Sequence, residues 1–217
     1  MSRAARSIKW AIDVTVGIVA SLLTLPMVVV LALGSAWSLR AWPFFVQTRV
    51  GRGHRSVRVV KLRSLPTSVG AELDKYELRD LSTTRFGHFL RHTHLDELPQ
   101  MWSVASGVMS LVGPRPEMHR LAARFSPEQR SARDTFRPGC IGLWQASVHR
   151  GGLMYETPEY DLAYARHASL TLDIYIIWRM AGVLVGRDAL QLRELPQRFA
   201  GGVADSGHTF ETEPIAR

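Results

Sequence analysis

Cysteine is nearly absent: Cys140 is alone among 217 residues. No internal disulfide can form, which excludes a secreted disulfide scaffold and leads us to expect a reducing compartment. No Cys/His cluster at metal-ligand spacing accompanies it. Gly-x-Gly-x-x-Gly, a phosphate loop ending in Gly-Lys-Ser/Thr, and Gly-x-Ser-x-Gly are all missing, so the common dinucleotide, phosphate-loop and serine-hydrolase signatures do not apply. No internal repeat is present. Acidic residues are scarce at the start: residues 1–60 hold eight Lys/Arg against Asp13 alone, whereas the remainder holds 19 Lys/Arg and 18 Asp/Glu. The net charge of +8 is therefore a property of the N-terminal quarter, where it flanks an apolar run. That placement favours an anionic membrane surface over a nucleic-acid duplex. A hydrophobic fraction of 46% excludes a wholly disordered chain, and a mean hydropathy of −0.02 is too polar for a bundle of membrane helices.

The apolar run extends from Trp10 to Trp37 with one charge, Asp13, near its start. As continuous helix it would reach ~42 Å, more than a hydrocarbon core of ~30 Å. A signal peptide has the right basic start (Arg3, Arg6, Lys9), but its apolar core is usually shorter. A straight span has suitable length and a tryptophan at each end. Pro26 lies in the middle and removes a backbone donor. Helical arms over 10–25 and 27–37 would be about 24 and 16 Å long, each too short to cross. Basic residues also flank both sides, unlike the one-sided excess of a spanning helix. The expectation is a re-entrant helix broken at Pro26, with Ser21 or Thr24 satisfying the freed backbone.

Beyond it, residues 44–65 alternate β-branched and basic residues around Gly51-Arg52-Gly53, a hairpin signal. Residues 66–84 predict a loop with a short helix. Helical spacing runs from Phe86 to about Ser106, interrupted near His94 and Pro99. One or two basic helices are expected over 116–135, split at Ser126-Pro127, and another helical stretch over 158–186. The predicted fold is α+β: a membrane-inserted helical hairpin (1–40), a mostly helical domain with a small β-hairpin and interfacial amphipathic helices (41–200), and a disordered tail (201–217).

Chemistry concentrates in residues 90–118. Asp96 and Glu97 are adjacent, so on a regular helix they point about 100° apart and cannot share a site equally. Thr93-x-x-Asp96 has the form of a helix start, which would place both acids in a first turn. A plain N-cap is one reading of that pattern. The other is a carboxylate nucleophile toward phosphorus, which requires neutralised phosphates. Arg91, Arg115 between prolines, and Arg137 before Pro138 are candidate neutralisers, and Lys61 and Arg63 end the hairpin. Asp173 lies in an apolar helix and needs a partner, from Arg179 or a site arginine.

Several motifs in one order carry a resemblance. They are the apolar helix with Pro26; Phe45-x-Gln47-x-Arg49-x-Gly51; Lys61-Leu62-Arg63-Ser64; Gly87-x-x-Leu90-Arg91; and Leu95-Asp96-Glu97-Leu98-Pro99-Gln100. Met109 to Pro116, Arg137-Pro138-Gly139-x-x-Gly142-Leu143-Trp144-Gln145, Asp161-x-x-Tyr164 and Ser169-x-x-x-Asp173 complete them. Over most of residues 5–190 the sequence resembles the bacterial sugar transferase family, the monotopic polyprenyl-phosphate phosphoglycosyl transferases. The resemblance implies transfer of a phosphosugar from a nucleoside-diphosphate sugar, UDP-linked by expectation, to a polyprenol phosphate such as undecaprenyl phosphate. Asp96 would be the nucleophile and a Mg²⁺ ligand, and Glu97 would assist proton transfer or position the lipid phosphate. Arg91, Arg115, Arg137, Lys61 and Arg63 would bind phosphates, with Asp173, Arg150 and Gln145 in support. The implied location is the cytoplasmic face of the inner membrane, with lipid but no nucleic acid as partner; an oligomer is compatible with the sequence. The sequence departs from the family pattern at Leu25, His94, Val108, Ile141 and Val148. Two other readings are an inactive membrane scaffold of the same family and a membrane-tethered basic nucleic-acid-binding protein.

Overall fold

In a computed structural model, the structure describes residues 1–74, 76–78 and 81–200; the tail expected over 201–217 lies outside them. The chain opens with a single long helix, α1 (Arg3–Leu39). Ser2 caps it, its hydroxyl accepting from the Ala5 amide at 3.2 Å, and Arg40 ends it in the left-handed region. Helix is recorded through Pro26 rather than as two separate arms. Proline removes one donor and leaves the Leu22 carbonyl without its helical partner, which one helix of 37 residues can absorb. Neither expected side chain takes over that carbonyl: Thr24 Oγ1 donates to Ala20 O at 2.7 Å, and the buried Ser21 hydroxyl has no partner among the described residues.

What α1 buries is unusual. Lys9, Asp13, Gly17, Val28, Ala32 and Ser35 face the body, a helically spaced stripe of mostly polar and small residues. The opposite side, including Leu22, Leu23, Val30, Leu33 and Trp37, is exposed. The helix is thus amphipathic in the inverse sense, with its apolar face outward and both of its ends in contact with the body. It is long and apolar enough to cross a membrane by length and composition. At Gly17 a Cβ would come within 2.6 Å of the Ala105 amide nitrogen, so only glycine lets α1 pack this closely on α3 (Gln100–Ala105).

Strands β1 (Phe44–Val50) and β2 (Ser56–Leu62) form the expected antiparallel hairpin, paired from Phe44↔Leu62 to Val50↔Ser56. Gly53 and His54 take positive φ in its turn. The short helix expected in 66–84 is not found among the described residues. Helix α2 (Arg85–His92) is capped by Thr84, and a 3-10 turn over Leu95–Glu97 leads through Pro99 into α3. Thr93 therefore ends one helix instead of starting the next, its hydroxyl donating to Phe89 O at 2.8 Å.

After β3 (Ser110–Val112) come α4 (His119–Ala122) and α5 (Pro127–Asp134), the expected split at Ser126-Pro127. Strand β4 (Gly139–Ile141) pairs with β3 in parallel, a feature too short for sequence periodicity to show. The stretch 158–186 holds two helices, α6 (Glu159–His167) and α7 (Leu170–Leu184), separated where Ser169 caps the Leu172 amide at 3.2 Å. A final short helix, α8 (Gln197–Ala200), follows. The main core joins Phe125, Trp144, Tyr160, Tyr164, Leu172 and Ile176 with Val112 of β3, so α6 and α7 back the β3–β4 pair, and α5 packs on α6.

Candidate active site

The turn carrying Asp96 and Glu97 is set by His94, which adopts φ 57°. The left-handed region costs a non-glycine residue about 1–2 kcal/mol, and strain of this kind collects at functional sites. Because the turn is 3-10, the two neighbouring acids point into different surroundings, and they behave differently.

Glu97 is fully engaged. Lys61 Nζ donates to Glu97 Oε1 at 2.6 Å. Arg115 holds the same carboxylate as a fork, Nη2 to Oε1 at 2.6 Å and Nη1 to Oε2 at 3.3 Å. Burial would raise the Glu97 carboxyl, but Arg115 and Lys61 outweigh it and hold it well below the usual carboxylate range. Burial likewise pushes the Lys61 ammonium down while Glu97 opposes the shift.

Asp96 is the more buried of the two, at 9% exposure where Glu97 is only partly buried, yet among the described residues its carboxylate makes no hydrogen bond or ion pair. Burial raises its carboxyl above the usual range, opposed chiefly by Lys61, with Arg91 and His94 also favouring the charged form. The result is an unencumbered carboxylate beside a cation cluster, Lys61 and Arg115, whose charge Glu97 balances only in part. The Arg91 side chain, on α2, has no hydrogen bond or ion pair among the described residues and remains available to an incoming anion.

The scaffold behind these groups is deep. The Arg115 carbonyl accepts from Arg133, which pairs with Asp161 at 2.5 Å, and Asp161 also accepts from Gln129 at 3.0 Å. Helices α5 and α6 thereby pin the backbone of a residue working at the dyad. Sequence reasoning quoted Arg49 in a motif without giving it a role. On β1, Arg49 pairs with Glu117 at 3.0 Å and is held by Gln47; burial lowers its guanidinium, whose field reaches Arg115 and Glu97. Gln145 donates to the Cys140 carbonyl at 3.1 Å behind the site, and burial pushes the Cys140 thiol up to about 12.

Three expected site residues are not brought to the dyad. Arg137 pairs with Asp13 of α1 at 2.8 Å and donates to Met109 O at 3.0 Å, because Pro138 and Gly139 lead it into β4 on the α1 side. Arg63 donates to Trp42 O at 2.9 Å and lies over the Phe45 ring, one residue past the end of β2. Asp173 pairs with Lys9 at 2.8 Å and accepts from Tyr164 Oη at 2.9 Å, so its partner is neither Arg179 nor a site arginine. Arg150 is exposed on the turn after Ser147.

A metal ion finds no ready cage: no group of three or more His, Cys, Asp or Glu converges among the described residues. That pattern still fits Mg²⁺, which is commonly held by one or two carboxylates plus substrate phosphates. Asp96, with no hydrogen bond on its oxygens, is the carboxylate that suits it.

The family model for bacterial sugar transferases matches residues 4–187. The chain belongs to the bacterial sugar transferase family. It is 38% identical over 166 residues to a UDP-galactose-lipid carrier transferase of Erwinia amylovora, covering 67% of this chain and 34% of that protein. It is 36% identical over 175 residues to a UDP-glucose:undecaprenyl-phosphate glucose-1-phosphate transferase of Xanthomonas campestris pv. campestris, covering 75% of this chain and 35% of the relative. A protein of the same description from Caulobacter vibrioides is 33% identical over 189 residues, covering 83% and 70%. The chain spans about a third of the length of the first two relatives.

The differing states of the two acids make a pH prediction for this member of the family. A raised Asp96 carboxyl takes up a proton at a higher pH than an ordinary aspartate, and Glu97 at a lower one, so a nucleophilic Asp96 is expected to set the acid limb of the kcat/KM profile. Lys61 is the largest influence opposing the rise. Lys61→Gln is therefore expected to move the acid limb to higher pH as well as lowering the plateau. An unmoved limb in that variant would assign it to another group.

Proposed function

We propose that this chain transfers a phosphosugar from a UDP-sugar to undecaprenyl phosphate through a covalent intermediate on Asp96. The reading rests on one observation above all: of two adjacent acids, Glu97 is tied to Lys61 and Arg115 while Asp96 carries no bond and faces the same cations. In the first step an Asp96 oxygen attacks the phosphorus that bears the sugar. The bond to the bridging oxygen breaks, and nucleoside monophosphate leaves with that oxygen. In the second step a phosphate oxygen of the polyprenol attacks the same phosphorus, the bond to Asp96 breaks, and the carboxylate is regenerated. No general base is required, because both nucleophiles are already anions. Glu97, ionised and doubly bonded, positions Lys61 and Arg115 and does not move a proton. Those two cations, with Arg91, offset the negative charge that otherwise repels the carboxylate from the diphosphate. Mg²⁺, held by Asp96 and the diphosphate, would supply further neutralisation of phosphate charge.

The relatives described as UDP-sugar transferases acting on a lipid carrier or on undecaprenyl phosphate support this substrate class. A nucleotide-release assay with undecaprenyl phosphate, Mg²⁺ and a panel of UDP-sugars tests it. Release of UMP with one of them, together with a labelled phosphosugar on the protein in the absence of acceptor, is the expected result. A folded, membrane-bound protein that releases nothing from any sugar nucleotide would favour the inactive scaffold. The reaction would be the first membrane step in assembly of a capsule, exopolysaccharide, O-antigen or glycoprotein glycan.

The inverse amphipathicity of α1 supports a monotopic, re-entrant placement. A helix that meets the body at both ends through polar and small residues would drag that body into the bilayer if it spanned. Lying within one leaflet it exposes a mostly apolar side to lipid, and it keeps the dyad on the cytoplasmic side. Tags placed at Ser2 and at the C-terminus are expected to be accessible from the same side of the membrane, and opposite-side accessibility would replace this placement with a span.

A further inference from the structure

Away from the dyad, a second concave surface opens between the first turns of α1 and the segment entering β4, a cleft of about 600 Å³ within the range of small-ligand sites. Its walls carry Arg3, Arg6, Lys9, Arg52 and Arg137, with Trp10 and Phe136 as aromatic surfaces. The carboxylates nearby, Asp13 and Asp173, stand behind these walls and are already taken by Lys9, Arg137, Ser110 and Tyr164. Arg3, Arg6 and Arg52 have side chains with no hydrogen bond or ion pair among the described residues. Guanidinium groups from two separate segments, the first turns of α1 and the β1–β2 turn, thus face one volume with no carboxylate among the described residues of its lining. Mutual repulsion disfavours that arrangement unless an anion occupies it.

We propose that this cleft is a binding site for a phosphate-bearing anion, separate from the dyad and sharing none of its residues. Guanidinium groups from α1, from the β1–β2 turn and from the β4 entry would converge on its oxygens, and such forks suit phosphate better than a point charge does. Arg3 and Arg6 immediately precede Trp10 and the exposed apolar side of α1, which makes the headgroup of an acidic lipid one source; a soluble polyphosphate is the other. The site stands whether or not the transferase reading does, since it rests on other residues.

The test uses the full chain in neutral detergent, with binding measured by calorimetry. The probes are dihexanoylphosphatidylglycerol, dihexanoylphosphatidylcholine and inorganic pyrophosphate. Binding of the phosphatidylglycerol without pyrophosphate identifies a lipid headgroup, and the reverse identifies a soluble ligand; either supports the site. The double variant R6Q/R52Q is expected to weaken whichever binds by about tenfold or more, while R55Q/R58Q, which removes the same charge from the hairpin outside the cleft, leaves it within about twofold. Equal weakening by the two pairs would reduce the effect to net charge and overturn the proposal. So would absence of binding by both anionic probes, or pyrophosphate binding that Lys61→Gln abolishes and R6Q/R52Q spares.

Discussion

Asp96→Asn is expected to lower UMP release by at least about 10³-fold, the scale of losing a covalent nucleophile, and to abolish labelling of the protein by the phosphosugar. The same change is expected to leave the fold as stable at pH 7 or more so. Burial disfavours the Asp96 charge; its folded-state carboxyl is raised, so the residue favours the folded state most at low pH and that contribution is lost as pH rises through the raised value. Neutral asparagine removes this liability. Glu97→Gln should behave in the opposite way. It takes one charge from a carboxylate that both Lys61 and Arg115 need, costing about 1.5–3 kcal/mol for the charged hydrogen bonds. It leaves Asp96 in place, so labelling survives at a reduced rate. Thermal melts and single-turnover labelling on the two variants separate the roles. Equal loss of labelling in both, with equal melting temperatures, would contradict the division of labour between the two acids.

The asymmetry between adjacent acids was partly legible in the sequence. Their spacing excluded an equal partnership, and Arg115 and Lys61 were named as cations of the site. Which acid the cations hold depends on the 3-10 turn and on His94 at positive φ, and neither follows from residue types. Other misplacements share one cause. Asp173 looked anomalous as a charge in an apolar helix and needed a partner that local sequence does not identify, and Asp13 was read only as the one charge of the apolar run. Their partners, Arg137 and Lys9, lie more than a hundred residues away along the chain. Arg137 was assigned to phosphate because its flanking prolines and glycine suggested a fixed arginine. It is fixed, but by a carboxylate on α1 and away from the dyad. At Pro26 the missing donor suggested a break; the structure carries helix across it and shows a stripe of body-facing residues on both sides. Length, hydropathy and motif order report local chemistry faithfully, whereas the pairing of charges across the fold is set by packing.

Asp13→Ala is the substitution expected to cost most in stability. Asp13 is 2% exposed and gathers four groups: Ser110 Oγ donates at 2.6 Å, the Leu111 amide at 3.2 Å and Arg137 at 2.8 Å, with Lys9 at 3.5 Å. Lys9 retains Asp173 and Ser110 retains the Val112 carbonyl at 2.9 Å. Arg137 loses its carboxylate and the Leu111 amide loses its acceptor. Breaking a buried pair from one side costs about 3–5 kcal/mol, a large share of a total of about 5–15. For a chain of this size that is a melting-temperature drop of about 6–20 °C. Asp13→Asn keeps an acceptor for Ser110 and Leu111 and should lose about half as much or less. Because the four groups join α1 to β3, β4 and α7, the loss should fall first on the attachment of the N-terminal turns. Hydrogen exchange in detergent is expected to show deprotection of residues 5–17 in Asp13→Ala while the block formed by α5, α6 and α7 stays protected. Uniform deprotection, or a melting temperature equal to that of the unaltered protein, would mean that α1 is held by its apolar contacts and that the charge network is incidental.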